Sequence, residues 1–341
     1  AHRPSRPMST QDRSARIWTN PEPRRFQSLW FGIGLVALLP GLAAAYLYLV
    51  PPTDDASALS ASFIPYGLIA DLIAVIFFGI ALVRARRHLV TTMLIMLSSA
   101  LLILQVVWIA PQFTANPRPV TSRPFTVLSL NTKWGGANVD QLSERAGNAD
   151  LVVLVEVTPA SYAAVRSKLG PRFRYVVPDR PTADNESMIL SRYPLTDPRE
   201  LRSTTPQWTA AATVPGIGRV DVIAAHPCNP FCGGQAWQTE HADLLRRAEQ
   251  LDAGPLVIAG DFNATDDHGP LRAMTDHGFV SATDIVGAGW LPTYPSDSRV
   301  FPPLIGIDHV LVNDRLTALS VSTFRIDGTD HLGLIAELAR S

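Results

Sequence analysis

Three long apolar stretches dominate the first third of the chain: residues 28–50, 63–83 and 89–110. Each is 21–23 residues long, and the only charge within them is Asp71. Roughly 20 apolar residues span the hydrocarbon core of a bilayer as a helix. A buried soluble helix is the alternative, but three such stretches in succession, each bounded by polar punctuation, argue against it. A cleaved signal peptide would have a shorter apolar core, of about 7–15 residues. Trp30, Tyr46, Tyr48, Tyr66 and Trp108 fall near the ends of the stretches, where aromatic side chains anchor at membrane interfaces. Asp71 sits well inside the second stretch, and a carboxylate at that depth is costly. The plainer of its two readings, a hydrogen bond to Ser98, Ser99 or another polar group on a neighbouring helix, is preferred over a functional one.

After residue 110 the pattern changes. Residues 111–124 are rich in Pro, Thr, Asn and Arg with no apolar period, and read as a linker. Fourteen extended residues reach at most about 50 Å. From residue 125 onward, short apolar runs alternate with helical patterns. FTVLSLN at 125–131 and DLVVLVE at 150–156 predict strands, the second buried on both faces. Further strands are predicted at 187–191, 219–225, 256–259 and 307–312, and helices at 158–169 and 236–251. Strands outnumber helices, which indicates mixed α and β with a substantial sheet core. The domain division expected is a basic tail (1–27), three spans (28–110), a linker (111–124) and a catalytic domain (125–341).

Charge sharpens this picture. Of 341 residues only 17% are charged, and the net charge is −1. Residues 1–112 carry nine Arg against five Asp and Glu, whereas residues 113–341 carry 20 Lys and Arg against 25 Asp and Glu. A protein that coats nucleic acid with positive charge is thereby disfavoured. The basic residues also orient the spans. Arg3, Arg6, Arg13, Arg16, Arg24 and Arg25 precede the first, Arg84, Arg86 and Arg87 lie between the second and third, and the loop PPTDDASALSAS between the first two has no Lys or Arg. The positive-inside rule puts the tail in the cytoplasm and, after three crossings, the last two thirds of the chain outside it. The two cysteines, Cys228 and Cys232 in HPCNPFC, suit that compartment as a disulfide. Free thiols, or a zinc site with His226, are the other readings.

Polar residues close the apolar runs: Asn131, Glu156, His226, Asp261 with Asn263, Asp308, and Asp330 with His331. Strands that end this way deliver side chains to one rim of a sheet. Carboxylates gathered there repel one another, and a hard divalent cation relieves the repulsion. Oxygen ligands without a thiolate cluster favour Mg²⁺, Mn²⁺ or Ca²⁺ over zinc. His309 alternates with Asp308 and should face the other side, and His241, His268 and His277 read as surface residues of helices or loops.

At these positions the sequence resembles the endonuclease/exonuclease/phosphatase superfamily, the deoxyribonuclease I-like fold. The matching segments are LSLNTKWGGAN (128–138), VVLVEVT (152–158), SMILSRYPL (187–195), AAHPCNP (224–230), GDFNAT (260–265), IDHVLV (307–312) and TDHLGL (329–334). The resemblance implies a four-layered α/β sandwich, a divalent metal and phosphoester hydrolysis. It implies Glu156 as main metal ligand, with Asn131 and Asp330 on the metal side. It implies Asp261 to position or deprotonate water, Asn263 and His226 to contact the phosphoryl group or leaving group, and Asp308 to orient a catalytic His331. The division of base duty between Asp261 and His331 stays open. DNES before SMILSRYPL departs from the usual glycine-rich turn and puts the substrate-facing loop in doubt.

Three functions compete. One is an extracytoplasmic nuclease acting on DNA or RNA, with Arg172, Arg174, Arg180 and Arg192 as a candidate basic rim. Another is a phosphodiesterase or phosphatase acting on lipid or envelope headgroups, which the membrane tether favours. The third, a non-catalytic membrane receptor on this fold, is opposed by the full set of polar residues.

Overall fold

The computed structural model describes residues 22–83, 88–201 and 203–341, with side chains in the first helix from residue 28 onward. The arginines used above to orient the spans lie outside the described residues or their described side chains. The chain opens with α1 (Glu22–Leu49), α2 (Asp55–Ala61), α3 (Tyr66–Val83) and α4 (His88–Ile109). Three of these, α1, α3 and α4, are long and apolar enough to cross a membrane. Large side chains such as Val36, Leu39, Met96 and Ile103 remain exposed on them. Helices that are apolar on every face match hydrocarbon rather than water. Asp71 on α3 is buried, and Gln105 Nε2 on α4 donates to its Oδ2 at 2.6 Å. Gly41 lets α1 close on this pair, because a Cβ there would collide with the Asp71 carboxylate.

Two six-stranded mixed sheets pack face to face in the rest of the chain. The strands are β1 (Phe125–Asn131), β2 (Leu151–Val157), β3 (Tyr175–Val177), β4 (Glu186–Ser191), β5 (Leu195–Leu201), β6 (Gln207–Val214), β7 (Gly218–Ala225), β8 (Leu256–Asp261), β9 (Val280–Ser281), β10 (Asp308–Val312), β11 (Leu316–Phe324) and β12 (Gly333–Arg340). One sheet runs β11-β12-β1-β2-β4-β3 and the other β5-β6-β7-β8-β10-β9. The core between them includes Val127, Val153, Ile189, Val222, Val257 and Val310. On the outer face of the first sheet lie α5 (Val139–Arg145) and α6 (Pro159–Leu169). On the second lie α7 (Gly234–Leu251) and α8 (Gly269–Asp276), while the short α9 (Ala282–Val286) sends Ala282 and Ile285 into the core between the sheets. Central strands are therefore covered on both faces, which explains the unbroken apolar run in β2. The four layers are helices, sheet, sheet and helices.

Register puts the functional ends together. The parallel pair β1–β2 sets Asn131 beside Val155, next to Glu156. The antiparallel pair β8–β10 sets Asp261 opposite Asp308. Gly260 makes the β7–β8 approach possible, since at φ 147° a Cβ would run into the Ala225 carbonyl oxygen.

The expected linker is not a free spacer. After a 3-10 turn at Ala110–Phe113, it lies along the sandwich. Asn116 N–H donates to Ile285 O at 2.9 Å, Arg118 N–H to Thr317 Oγ1 at 3.0 Å, and Thr121 N–H to Arg340 O at 2.9 Å. The segment between the first two spans is docked as well. His268 Nε2 donates to Ala58 O at 2.8 Å, Gly234 N–H to Asp55 Oδ1 at 2.6 Å, and Tyr66 OH to Leu304 O at 2.9 Å. Backbone polar groups in loops need partners, and here the sandwich supplies them.

Candidate active site

Asn131 closes β1 and is buried. Its Nδ2 donates to Glu156 Oε1 and to Asp261 Oδ2, both at 3.0 Å, while its Oδ1 accepts from the Lys133 N–H. The amide thus steadies two carboxylates, with its nitrogen toward them. Glu156 stands at a bulge in β2, where pairing with β4 shifts register and φ is 58°. Its Oε2 accepts from the Trp134 N–H at 2.9 Å, and its Oε1 lies 3.7 Å from His226 Nε2. Lys133, Trp134, Glu156 and Asn263 are four of the five non-glycine residues with positive φ among the described residues. Such conformations cost about 1–3 kcal/mol each and concentrate where geometry is functionally constrained.

Across the cleft, His331 Nδ1 pairs with Asp308 Oδ2 at 2.8 Å, and both side chains are buried. The other ring nitrogen, Nε2, lies 3.8 Å from Asp261 Oδ2 and 3.9 Å from Asp330 Oδ1. Burial pushes this imidazole down, but the Asp308, Asp261 and Asp330 carboxylates outweigh it and hold the group up at about 10. Burial, reinforced by the Asp308 charge, raises the Asp261 carboxyl. Asp261 Oδ1 accepts from the Asn263 N–H at 2.7 Å, and Asn263 Nδ2 donates to Pro227 O at 3.0 Å. His226 is buried at the end of β7, its backbone N–H held by Gln207 and its Nδ1 3.3 Å from Thr205 Oγ1. Lys133 Nζ reaches Asp330 at 3.2 Å and Asp297 at 2.8 Å.

A cavity of about 450 Å³ joins these groups: Glu156, His226, Asp261, Asn263, Asp330 and His331 all line it. Asn131 and Asp308 stand behind the lining and reach it through their hydrogen bonds. The site therefore gathers all eight polar residues singled out in the sequence. It also holds residues that sequence reasoning passed over: Lys133, Asn185, Thr205 and Tyr294 line the same cavity. Asn185 belongs to the DNES turn, which thus faces the cleft despite lacking glycine. The arginines considered as a basic rim do not line it. Arg172 donates to Ser143, and Arg192 to the Gly147 carbonyl.

Two of the remaining histidines need correction. His241 and His268 are buried, contrary to the surface placement. His241 Nδ1 lies 2.8 Å from Trp237 O and Nε2 2.9 Å from Phe262 O. Burial lowers the His268 imidazole to about 4, leaving it neutral. His277 is exposed, and His309 packs edge-on against Phe262 on the far side of β10. Cys228 and Cys232 are joined in a disulfide, and Cys228 lies beside the cleft.

The cluster suits a hard cation. Carboxylates outnumber cationic groups, and the ligand-capable atoms of Asp261, Asp308 and His331 lie within 4.8 Å of one another. In that trio, however, Asp308 and His331 already satisfy each other at 2.8 Å. Glu156, open to the cleft and fixed by two donors, is the better-prepared ligand.

The endonuclease/exonuclease/phosphatase family model matches residues 128–331. No curated protein matches the chain by sequence. Among solved structures, an endonuclease/exonuclease/phosphatase from Beutenbergia cavernae DSM 12333 is similar at 18% identity and a TM-score of 0.50, over 64% of this chain and 72% of that one. One from Bacteroides vulgatus aligns over 64% of this chain and 99% of its own, at 15% identity and a TM-score of 0.52. A mannosyl-6-phosphatase of Bacteroides thetaiotaomicron VPI-5482 aligns over 63% and 99%, at 13% identity and a TM-score of 0.51. These likenesses are of fold alone. With the family model running from the strand that carries Asn131 to the histidine that faces it across the cleft, this chain belongs to the endonuclease/exonuclease/phosphatase family.

Proposed function

We propose that this chain is a membrane-anchored, extracytoplasmic phosphoesterase that hydrolyses phosphodiester or phosphomonoester bonds of lipid or envelope headgroups with a divalent metal. The observation that carries the reading is the opposition of two prepared units across one cleft. Glu156 is fixed by Asn131 and Trp134 on one side, and the Asp308–His331 pair stands on the other. Glu156 would hold Mg²⁺ or Mn²⁺, with Asp330 nearby; the ion, when bound, neutralises non-bridging phosphoryl oxygens. His331 keeps a proton on Nδ1 toward Asp308 and, held up near 10, carries a second on Nε2. It is therefore a donor to the phosphoryl group or leaving oxygen, and the base role falls to Asp261. Asn263 adds an uncharged donor at the same wall.

The cleft's charge favours a headgroup over a nucleic acid. Lys133 is the one Lys or Arg lining it among the described residues, and two carboxylates already engage it. Nucleic-acid binders neutralise many phosphates at once. Three apolar helices support anchoring, and the arginine distribution supports the outward placement.

The test is turnover of bis-p-nitrophenyl phosphate by the full-length protein in detergent, with plasmid DNA and phospholipid vesicles as further substrates. Activity should require Mg²⁺ or Mn²⁺ and vanish in EDTA. Glu156→Ala should lose at least about 100-fold in kcat/KM; wild-type turnover in that variant would refute the assignment. Efficient plasmid cleavage without release of lipid headgroups would select the nuclease reading.

A further inference from the structure

The cleft is not walled by the sandwich alone. Leu59 and Ser62, from the segment between the first two spans, line it beside Phe231 of the disulfide loop. The capping box of Asp54 and Ser57 starts α2, and Asp55 and Ala58 bind Gly234 and His268 of the sandwich. The wall is thus fixed in place. It is also apolar at the mouth: Leu59 is 39% exposed, Phe231 71% and Trp134 65%. Large apolar side chains gathered at the rim of a polar site mark a surface meant to be covered.

The track leads to the membrane part. Phe63, 44% exposed, follows Leu59 by four residues in a hydrogen-bonded turn, its N–H donating to Ser60 O at 3.1 Å. Ser62 stands four residues before Tyr66, where α3 begins. Four residues span at most about 14 Å. The cleft wall therefore lies within headgroup distance of the span's end. A cavity of about 450 Å³ holds a headgroup, and any long hydrocarbon attached to it must leave through the mouth.

We infer that Leu59 of α2 and Phe231 form a specificity element that seats the hydrocarbon of a lipid phosphoester and leads it from the cleft to the bilayer. The inference rests on the phosphoesterase and membrane readings above and adds the residues that select the substrate. Without the loop between the spans, the site lacks one wall.

Alkyl p-nitrophenyl phosphates with methyl, hexyl and dodecyl chains test this on the full-length protein in lipid nanodiscs. In every probe the same bond is cut: water forms a P–O bond, a proton leaves that water, and p-nitrophenolate departs. Full burial favours each methylene by about fourfold. Wild-type kcat/KM should rise at least tenfold from methyl to hexyl. Leu59→Ser and Phe231→Ser should flatten that rise, cutting the hexyl-to-methyl ratio of kcat/KM at least fivefold. Partition of the probe into the nanodisc is common to all variants, so it cancels in the comparison. A rise that persists in both variants, a wild type indifferent to chain length, or an equal loss on every ester would overturn the inference. Absence of turnover on all three esters would instead bring down the phosphoesterase reading beneath it.

Discussion

Asp308 determines what His331 can do. Its Oδ2 fixes the ring through Nδ1, while its Oδ1 has no hydrogen-bond partner among the described residues. Asp308 is thus a positioning residue. Asp308→Asn should lower kcat by about 100-fold or more, because the amide cannot stabilise an imidazolium. The alkaline limb of the pH–rate profile should move to lower pH, since the nearest anion holding His331 up is gone. An unchanged limb would show that Asp308 only packs. At this scale most of the site was legible, because carboxylates and histidines close apolar runs. Lys133, Asn185, Thr205 and Tyr294 were not, because they sit on loops whose course no periodicity dictates. His241 could have been found: it lies four residues after Trp237 and three before Leu244, on the buried face of α7.

Among the elements, six strands were read well, whereas the edge strands β5 and β11 and the interior strands β6 and β12 were missed. The strands predicted at 125–131, 187–191 and 219–225 agree with β1, β4 and β7 within a residue. In contrast, β5 (LTDPREL) is largely exposed, and β11 alternates irregularly around a bulge between Ala318 and Ser320. Neither carries a clean period of two, so composition alone hides them. The docking of α2 was likewise invisible, because His268 finds Ala58 across 210 positions of sequence. Its neutrality has a measurable consequence. The His268 imidazole, lowered by burial to about 4 from an ordinary 6.5, binds a proton more readily once unfolded. Its contribution to stability should be complete above pH 6.5 and fade as pH falls from there toward 4. Thermal melts of the wild type should therefore fall in that window, and His268→Gln, which cannot take the proton, should fall less. Identical slopes would exclude this histidine as the cause.

For the molecule as a whole, the proposed arrangement of spans sets the side on which the proposed chemistry would occur. Ser322 is exposed on β11 and serves as a reporter, since Cys228 and Cys232 are already bonded to each other. In intact cells, Ser322→Cys should react with a membrane-impermeant maleimide. Full protection until the membrane is broken would place the sandwich inside. The fold class and three apolar helices were plain from pattern, whereas the contact between the two parts was not, because it is made by backbone groups such as Ala58 O, Leu304 O and Ile285 O. The segment at 111–124, pinned strand-wise by Asn116, Arg118 and Thr121, gives the sandwich no swivel. On the lipid-phosphoesterase reading proposed above, the mouth of the cleft is held at one height, and a lipid would drift to it sideways within its leaflet. Encounter would then become a two-dimensional search, governed by how crowded the leaflet is with substrate rather than by how much is dissolved in the surrounding fluid.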